Sequence, residues 1–171
     1  PLNVLHNVTF DPPLKPVKEA ASKLKHVGGG AKLFFEVEGD PGALMTLATS
    51  TDSPLIGSFT YQRSEQHSLF AGFSLEPDAL DKSVADWQPV LEEFVPGIRL
   101  LSTFGHDWGN DALSQGSWCT YRPGTFVRFA DELPKHDNNL FFASGDHGEG
   151  WRGFIEGAIA SGSKTAVAVA A

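Results

Sequence analysis

Residues 138–166 read NNLFFASGDHGEGWRGFIEGAIASGSKTA, and this stretch guides the interpretation of the rest of the chain. It opens on a short apolar run, continues through a turn with glycines at positions 145, 148, 150 and 153, and ends in small residues. A short apolar run before a glycine-rich turn is typical of a buried strand. We therefore predict a strand over Leu140–Ser144, a glycine-rich turn, and a small-residue helix over Phe154–Ala171.

The turn also contains the pattern G-x-G-x-x-G at residues 148–153. Between a strand and a helix, this pattern can bind the pyrophosphate of a dinucleotide. That unit also needs a second strand and an acidic residue after the helix, and neither follows before Ala171. Trp151 and Arg152 are also bulky for a turn that lies against a pyrophosphate. We therefore favour a tight strand–helix turn that presents the N–H groups of a helix N-terminus, with dinucleotide binding as the alternative.

The preceding residues predict strands mixed with helices. Pro1–Phe10 has a β-compatible apolar pattern, and helical spacing follows from Leu14 to Leu24. Helical spacing returns over Asp78–Val95, with a kink or two abutting helices expected at Pro89. Strands are predicted over Ala31–Glu38, Ala43–Thr49, Leu55–Gln62, Ser68–Phe73 and Ile98–His106, a short helix over Phe126–Leu133, and irregular structure over Trp108–Gly124. The fold class is α/β of the α+β type, with a mixed, largely antiparallel sheet covered by helices.

The amino-acid composition argues against nucleic-acid and membrane partners. The 171 residues carry 13 Lys and Arg against 21 Asp and Glu, and this net charge of −8 without a basic run argues against nucleic acid. Apolar runs such as residues 140–143 and 166–171 are too short to span a bilayer, so we expect no membrane partner. The single cysteine, Cys119, excludes an internal disulfide and a cysteine-built zinc site. The 13 Phe and 4 Trp point to a cavity or an interface.

Several spaced motifs resemble one protein family. The order of residue types in residues 138–166 resembles the closing signature of flavin-dependent amine oxidases. The sequences PLNVL (1–5) and FDPPL (10–14) resemble the opening of that family's substrate domain, and Trp108, SQGSW (114–118) and RPG (122–124) resemble the loop that reaches the flavin ring. The likeness covers essentially the whole chain in order and is closest to the fungal monoamine oxidase branch.

The resemblance implies roles for particular residues. Trp118 and Phe154 match two aromatic residues that flank the amine in front of the flavin, where they would act by apolar contact and cation–π attraction. Taken without the resemblance, both are ordinary core aromatics. Asp146 matches the acid that accepts a hydrogen bond from the cofactor's ribityl chain, although a helix N-cap or turn carboxylate is the local alternative.

The remaining implied site residues surround the same cofactor. Ile155 would offer its backbone N–H to the flavin's pyrimidine oxygen at the positive end of a helix, and Trp108 would pack against the flavin ring. We also assign Gly145 and Gly153 to cofactor binding, and Asn3 and His147 to the substrate pocket.

The sequence also departs from the family pattern. Ser117 stands where some members attach flavin through a cysteine, so we expect any flavin to be non-covalent. Many relatives place a lysine near the flavin in the opening segment, but the first candidates here are His6, Asn7 and Thr9. Cys119 is interpreted as a buried hydrophobe. No metal is expected, because no metal-ligand spacing relates the histidines at positions 26, 67, 106 and 136.

The family region that binds the ADP half of FAD is not among these 171 residues. The resemblance therefore implies a single unit in which residues 1–106 belong to a substrate-binding domain and residues 107–171 cap a flavin. FAD would be shared with an N-terminal FAD-binding chain or segment, and a small amine would be oxidised to an imine and then an aldehyde, with release of hydrogen peroxide. The isolated chain is not expected to be competent.

The alternative comes from another functional class. It is a standalone, non-catalytic or repurposed domain without FAD. In this alternative, the surface that faces the flavin in the family binds a small ligand or a protein. Assembly into a homo-oligomer is compatible with either interpretation.

Overall fold

The computed structural model describes residues 1–170, which form two compact units. The helical unit consists of Pro1–Gly28 together with the chain from Trp108 onward, and the sheet unit is Gly29–Asp107. The assignment of residues 1–106 to substrate binding and 107–171 to flavin capping stays a prediction. Within the described part of the chain, no helix combines the length and the hydropathy needed to cross a membrane.

The sheet unit is built on five strands. They are β1 (Ala31–Glu38), β2 (Met45–Leu47), β3 (Gly57–Gln62), β4 (His67–Ser74) and β5 (Leu100–Gly105). Their order is β2-β3-β4-β1-β5, and every neighbouring pair is antiparallel. β1 buries Leu33, Phe35 and Val37 on one face, as alternating apolar residues predict for a half-covered strand. The predicted fold class, a largely antiparallel sheet with helices, is confirmed.

One helix, here labelled α2 (Val84–Phe94), packs within the sheet unit. Ser83 caps its N-terminus and forms a capping box with Asp86. The buried Trp87 ring meets Phe35 edge-on at 5.4 Å between centroids, and the Trp87 Nε1 donates to the Ala79 oxygen at 3.3 Å. A single α-helix continues through Pro89, so the alternative of two abutting helices was wrong, and the alternative of a kink stays a prediction.

The helical unit contains three α-helices and two short 3-10 turns in its described residues. They are a 3-10 turn over Leu2–Asn7, α1 (Pro16–Leu24), α3 (Thr125–Phe129), a 3-10 turn over Gly145–His147, and α4 (Ile155–Ala170). Its core consists of Leu2, Ala21, Phe129 and Leu133. The segment between residues 108 and 124 is irregular, as predicted, apart from one isolated β-bridge between Gly28 and Trp118.

The predicted strand over Pro1–Phe10 was wrong. Leu2 and Leu5 lie three residues apart, and this spacing suits a 3-10 turn as well as it suits part of a strand. The backbone of Leu2 bonds to side chains: its N–H donates to Asp146 Oδ2 at 2.7 Å, and its oxygen accepts from Ser22 Oγ at 2.6 Å. The segment therefore satisfies its backbone without a partner strand.

The predicted strand over Leu140–Ser144 was also wrong. Its backbone forms an isolated bridge between Asp137 and Leu140, inside a tight turn, and the Phe142 oxygen accepts from Thr165 Oγ1 at 3.0 Å. Phe141 stacks on the His136 ring at 5.3 Å, and the Phe142 ring lies tilted at 5.5 Å from the His147 ring. The segment before α4 is therefore extended or bent chain rather than a strand.

Candidate functional site

A cavity of about 400 Å³ lies within the helical unit. This volume falls in the range of ~300–1,000 Å³ typical of small-ligand sites. Its walls come from the start of the chain, from the irregular segment before α3, and from the turn before α4. The lining includes Asn3, His26, Trp108, Trp118, Cys119, Gly145 and Asp146.

Trp118 is positioned by its bridge to Gly28. The neighbouring Ser117 donates to the Gly28 oxygen twice, from its N–H at 3.2 Å and from its Oγ at 2.8 Å. A Cβ on Gly28 would lie 2.7 Å from the Trp118 oxygen and 2.8 Å from the Trp118 Cβ. The close approach therefore requires glycine at position 28. Ser117, at which the sequence predicts no covalent flavin bond, uses its hydroxyl for this bridge.

Asp146 is held by the turn that precedes α4. Its N–H donates to Ser144 Oγ at 3.1 Å, and its backbone oxygen accepts from Arg152 Nε at 3.1 Å. Its carboxylate accepts the Leu2 N–H through Oδ2, and Oδ1 lies 3.9 Å from His26 Nδ1. Ser144, rather than Asp146, caps the 3-10 turn. The Asp146 carboxylate therefore faces the cavity wall and the start of the chain.

The structure brings five of the predicted site residues to this one cavity. They are Asn3, Trp108, Trp118, Gly145 and Asp146. Asn3 is 3% exposed, donates from Nδ2 to the Gln115 oxygen at 2.8 Å, and accepts the His26 N–H at 2.7 Å. Asn3 therefore links the segment around Gln115 to the segment around His26.

Other predicted site residues lie elsewhere. Phe154 is 63% exposed, and its ring meets Trp151 edge-on at 5.9 Å. Ile155 is the first residue of α4 and is exposed. Gly153 has a φ of 80° and lies against Cys119, since a Cβ there would be 2.7 Å from the Cys119 Cβ.

His147 and Asn3, which we assigned to one pocket, face different cavities. His147 lines a second cavity of about 740 Å³ in the same unit, on the side of α4. Its Nδ1 lies 3.0 Å from the Leu133 oxygen, and burial lowers its pKa. The histidine therefore has a hydrogen-bonding role within the fold.

The sequence interpretation missed a cluster of three side chains at the first cavity. Cys119 Sγ lies 3.7 Å from His26 Nε2, and Asp146 Oδ1 lies on the other side of the same imidazole. The ring of Tyr121 meets His26 edge-on at 4.7 Å. His26, Cys119 and Asp146 are separated by 93 and 27 residues in sequence, so no local spacing motif signals the cluster.

Burial dominates the electrostatics of this cluster. It raises the pKa of the Cys119 thiol to about 12, and the charge of Asp146 acts in the same direction. It also raises the pKa of the Tyr121 hydroxyl. For His26, burial lowers the pKa and outweighs the opposing effect of Asp146. At neutral pH the thiol, the phenol and the imidazole are therefore uncharged.

Comparison with known proteins identifies the family to which the chain belongs. The family model described as flavin-containing amine oxidoreductase matches residues 1–170, and the chain belongs to that family. The chain is 38% identical over 176 residues to a pseudooxynicotine dehydrogenase from Pseudomonas sp, covering 99% of this chain and 35% of that protein. It is 24% identical to an (S)-6-hydroxynicotine oxidase from Paenarthrobacter nicotinovorans, covering 93% of this chain and 37% of that protein.

Solved structures show the same fold. A putrescine oxidase bound to putrescine superposes with a TM-score of 0.82 at 16% identity, covering 99% of this chain and 41% of the oxidase. A cyclohexylamine oxidase from Brevibacterium oxydans superposes with a TM-score of 0.78 at 19% identity and the same coverage. The chain thus spans little more than a third of the length of the relatives it matches. Membership of the family is confirmed, and the likeness to its fungal branch stays a prediction.

Proposed function

We propose that this chain forms the substrate-binding and flavin-capping portion of an FAD-dependent amine oxidase. The observation that carries the proposal is the convergence of Trp108, Trp118, Gly145 and Asp146 on one cavity, in a member of the flavin-containing amine oxidoreductase family. The proposed net reaction converts an amine, dioxygen and water into an aldehyde, ammonia and hydrogen peroxide.

The residues at the cavity fit a flavin. Trp108 and Trp118 line the cavity and are 47% and 36% exposed, and an indole ring can stack on a planar ring. Gly145 lies against the start of α4, since a Cβ there would be 3.6 Å from the Phe154 oxygen. The first N–H groups of a helix have no partner within the helix. The cavity thus combines aromatic side chains with a carboxylate, and its wall at Gly145 lies next to the start of α4.

Each of these residues has a proposed task. A bound flavin would supply hydride acceptance from the carbon that bears the amine. Asp146 would accept a hydrogen bond from a ribityl hydroxyl, and the N–H of Ile155 would bind the ring's pyrimidine oxygen at the positive end of α4. Trp118 would orient a neutral amine at the cavity and exclude water. Phe154, which does not line the cavity in this chain, would join it when a second segment completes the site. Because Ser117 cannot form a thioether, the flavin would be held without a covalent bond.

A second segment would complete the flavin site. The chain covers 33–37% of the curated relatives' lengths and 41% of the superposed oxidases. α4 exposes Ile155, Ile159 and Val167, whereas Gly157 and Ser161 are buried on the other side of the helix. An exposed apolar helix face of this kind is typical of a surface that another segment covers. We propose that an FAD-binding segment occupies it.

The first experiment purifies the protein from its native source under non-denaturing conditions. We expect flavin to be released when the preparation is denatured, and a denaturing gel to show a longer polypeptide or a second chain in fixed ratio. Peroxide production and reduction of an artificial dye are then measured with ring-bearing amines. Both readouts are needed because the relatives' names include dehydrogenases as well as oxidases. Material without flavin would favour the alternative, a ligand-binding or interaction domain without FAD.

The second experiment separates the proposed roles in the flavin-loaded protein. We expect Trp118→Ala to impair amine oxidation more than flavin retention, because the indole would contact the substrate. We expect Asp146→Ala to reduce flavin retention more, because its carboxylate would bind the cofactor. Asp131→Ala and Tyr61→Ala are matched controls with an exposed acid and an exposed aromatic ring. Equal losses in both assays for the two site variants would contradict the assigned roles.

A further inference from the structure

We propose that His26, Cys119 and Asp146 form a binding site for a thiophilic divalent cation, with Zn²⁺ as the expected ion, in the flavin-free protein. The inference goes beyond the proposed oxidase function and does not depend on it. It also replaces the expectation of no metal, which came from sequence spacing alone.

The donor atoms are already close together. One possible ligand atom from each residue lies within 4.8 Å of the other two. Cys119 Sγ approaches Nε2 of the His26 ring at 3.7 Å, whereas Asp146 Oδ1 approaches Nδ1 of the same ring at 3.9 Å, so a single ion would bind only one of these nitrogens. Four-coordinate zinc, with bonds of about 2.0–2.3 Å, places its donors about 3.3–3.8 Å apart. Donors that now lie up to 4.8 Å apart would therefore close by about 1 Å, with a rotation of the imidazole, to bring one nitrogen, one sulfur and one oxygen onto a single ion.

The chemical character of the donors favours zinc over a hard cation. Thiolate and imidazole suit Zn²⁺, whereas Mg²⁺ and Ca²⁺ prefer sites built entirely from oxygen. A thiolate and a carboxylate would together balance the charge of a divalent ion. Besides the larger effect of burial, two positive charges also act on this cluster: the Arg152 guanidinium favours a lower pKa for both His26 and Cys119, and the ammonium of Pro1 does so for His26. The Nε of Arg152 donates to the Asp146 backbone oxygen, and its charged head lies 4.2 Å from the centre of the Phe126 ring.

The surroundings suit an ion that also holds water. The side chains of His26 and Asp146 are 5% and 15% exposed, so they are shielded but reach the cavity. Three protein ligands with water in the fourth position are a common zinc arrangement. The ring of Tyr121 packs against His26, and its buried hydroxyl interacts with the Cys119 thiol. Water on the cation would offer this hydroxyl a hydrogen bond once the thiol binds the ion, as outer hydrogen bonds commonly do around metal sites.

Occupation by a cation would exclude the proposed flavin contact. The carboxylate of Asp146 cannot bind a metal ion and a ribityl hydroxyl in the same way at once. Zn²⁺ would therefore lower the uptake of FAD by the flavin-free protein. Binding of the cation itself can be measured without any flavin, so this inference and the oxidase proposal can fail separately.

The test uses Co²⁺ as a spectroscopic substitute for Zn²⁺. The reduced, chelator-treated 171-residue chain is titrated with Co²⁺, and we expect one equivalent to produce thiolate-to-cobalt charge transfer that Zn²⁺ abolishes. Cys119→Ser should remove the charge-transfer band. His26→Gln and Asp146→Asn should each weaken binding by about tenfold or more. His136→Gln, which alters an exposed imidazole in the same unit, should bind like the wild type.

Two results would overturn the proposal. One is a wild-type chain, folded by circular dichroism, that gives no charge-transfer band with Co²⁺. The other is cobalt affinity in Cys119→Ser equal to that of the wild type, since binding would then not involve the thiol. The wild-type titration decides the first point even where a variant fails to fold.

Discussion

The side chain of Lys18, a residue of α1, is completely buried. It donates to the backbone oxygens of Glu132 and Leu133 at 2.7 and 2.9 Å, and it lies 4.6 Å from the centre of the Phe142 ring. These contacts tie α1 to the chain that follows α3. Burial nevertheless disfavours the charged form and lowers the pKa of Lys18 to about 8.

This burial predicts a particular dependence of stability on pH. Between about pH 8 and about pH 10.5, the unfolded chain keeps the Lys18 proton and the folded chain loses it, so the free energy of unfolding rises with pH. Relative to Lys18→Met, the wild type should gain about 2 kcal/mol between about pH 7 and about pH 10. Urea denaturation of both proteins at several pH values measures this difference.

The control for Lys18 lies on the same helix. Lys23 is exposed and pairs with Glu19, so Lys23→Met should show no such trend against the wild type. A difference between the wild type and Lys18→Met that stays constant over this pH range would show that the Lys18 proton is not lost in the folded state.

Cys119 should be poorly reactive in the metal-free folded chain. Because its pKa is raised from 9.0 to about 12, the thiolate fraction near neutral pH should fall by about a thousandfold relative to an unfolded cysteine. Mass spectrometry of alkylation by iodoacetamide, in the presence of a chelator, measures the rate before and after unfolding in urea. Native alkylation as fast as that of the unfolded chain would contradict the assigned burial.

At the scale of the element, the glycine-rich turn packs directly against the first turns of α4. A Cβ on Gly157 would lie 2.3 Å from the Trp151 oxygen, and a Cβ on Gly148 would lie 2.9 Å from the Gly157 Cα. Because Gly148 and Gly157 have no side chains, the backbone of the turn can pack in direct contact with the backbone of α4. This contact agrees with the tight-turn interpretation of the G-x-G-x-x-G pattern, although no strand precedes the turn.

Two glycines of α4 should respond to alanine in opposite directions. Gly157→Ala should lower the free energy of unfolding by about 1–3 kcal/mol, because the new methyl group would overlap a backbone oxygen. Gly162→Ala should raise it by up to about 1 kcal/mol, because a Cβ there meets nothing within 4 Å and alanine favours helix. Urea denaturation followed by circular dichroism compares the two, and the same sign for both would refute the contact.

The elements also show what the sequence can and cannot predict. β1 was predictable because Leu33, Phe35 and Val37 alternate on a half-buried strand. The first ten residues were not, because Leu2 and Leu5 fit both a strand and a 3-10 turn, and only the distant Asp146 and Ser22 decide between them. A local pattern does not reveal which partner will satisfy the backbone.

At the scale of the whole molecule, the exposed apolar face of α4 should govern association. Ile159 and Val167 are 59% and 72% exposed, and burying such side chains contributes about 1.5–3 kcal/mol each. We expect the isolated chain to bind a hydrophobic dye and to self-associate at high concentration. The Ile159→Lys, Val167→Lys double variant should do both less, as measured by dye fluorescence and sedimentation.

A substitution elsewhere on α4 provides the comparison for that experiment. Ala168 is exposed on the other side of the same helix, so Ala168→Lys adds a charge without removing a side chain of the apolar face. If Ala168→Lys reduced association as much as the double variant, charge repulsion rather than the apolar face would be responsible.

The candidate site was also only partly predictable, because local patterns do not reveal which distant residues the fold brings together. The family resemblance named Trp108, Trp118 and Asp146 through motifs of the sequence, and all three line the first cavity. His26 and Cys119 had no motif to mark them, since the fold alone brings them beside Asp146. The different cavities of Asn3 and His147 were equally invisible, because adjacent residues such as Asp146 and His147 face opposite sides of their turn.

The two outer strands of the sheet have a consequence for assembly between copies. β2 has only three residues, Met45–Leu47, whereas β5 at the other margin has six. Strands at a margin can recruit a neighbouring chain through unpaired peptide groups, and short ones do so poorly. Intermolecular pairing of strands between copies would therefore start at β5, and it would not continue past β2.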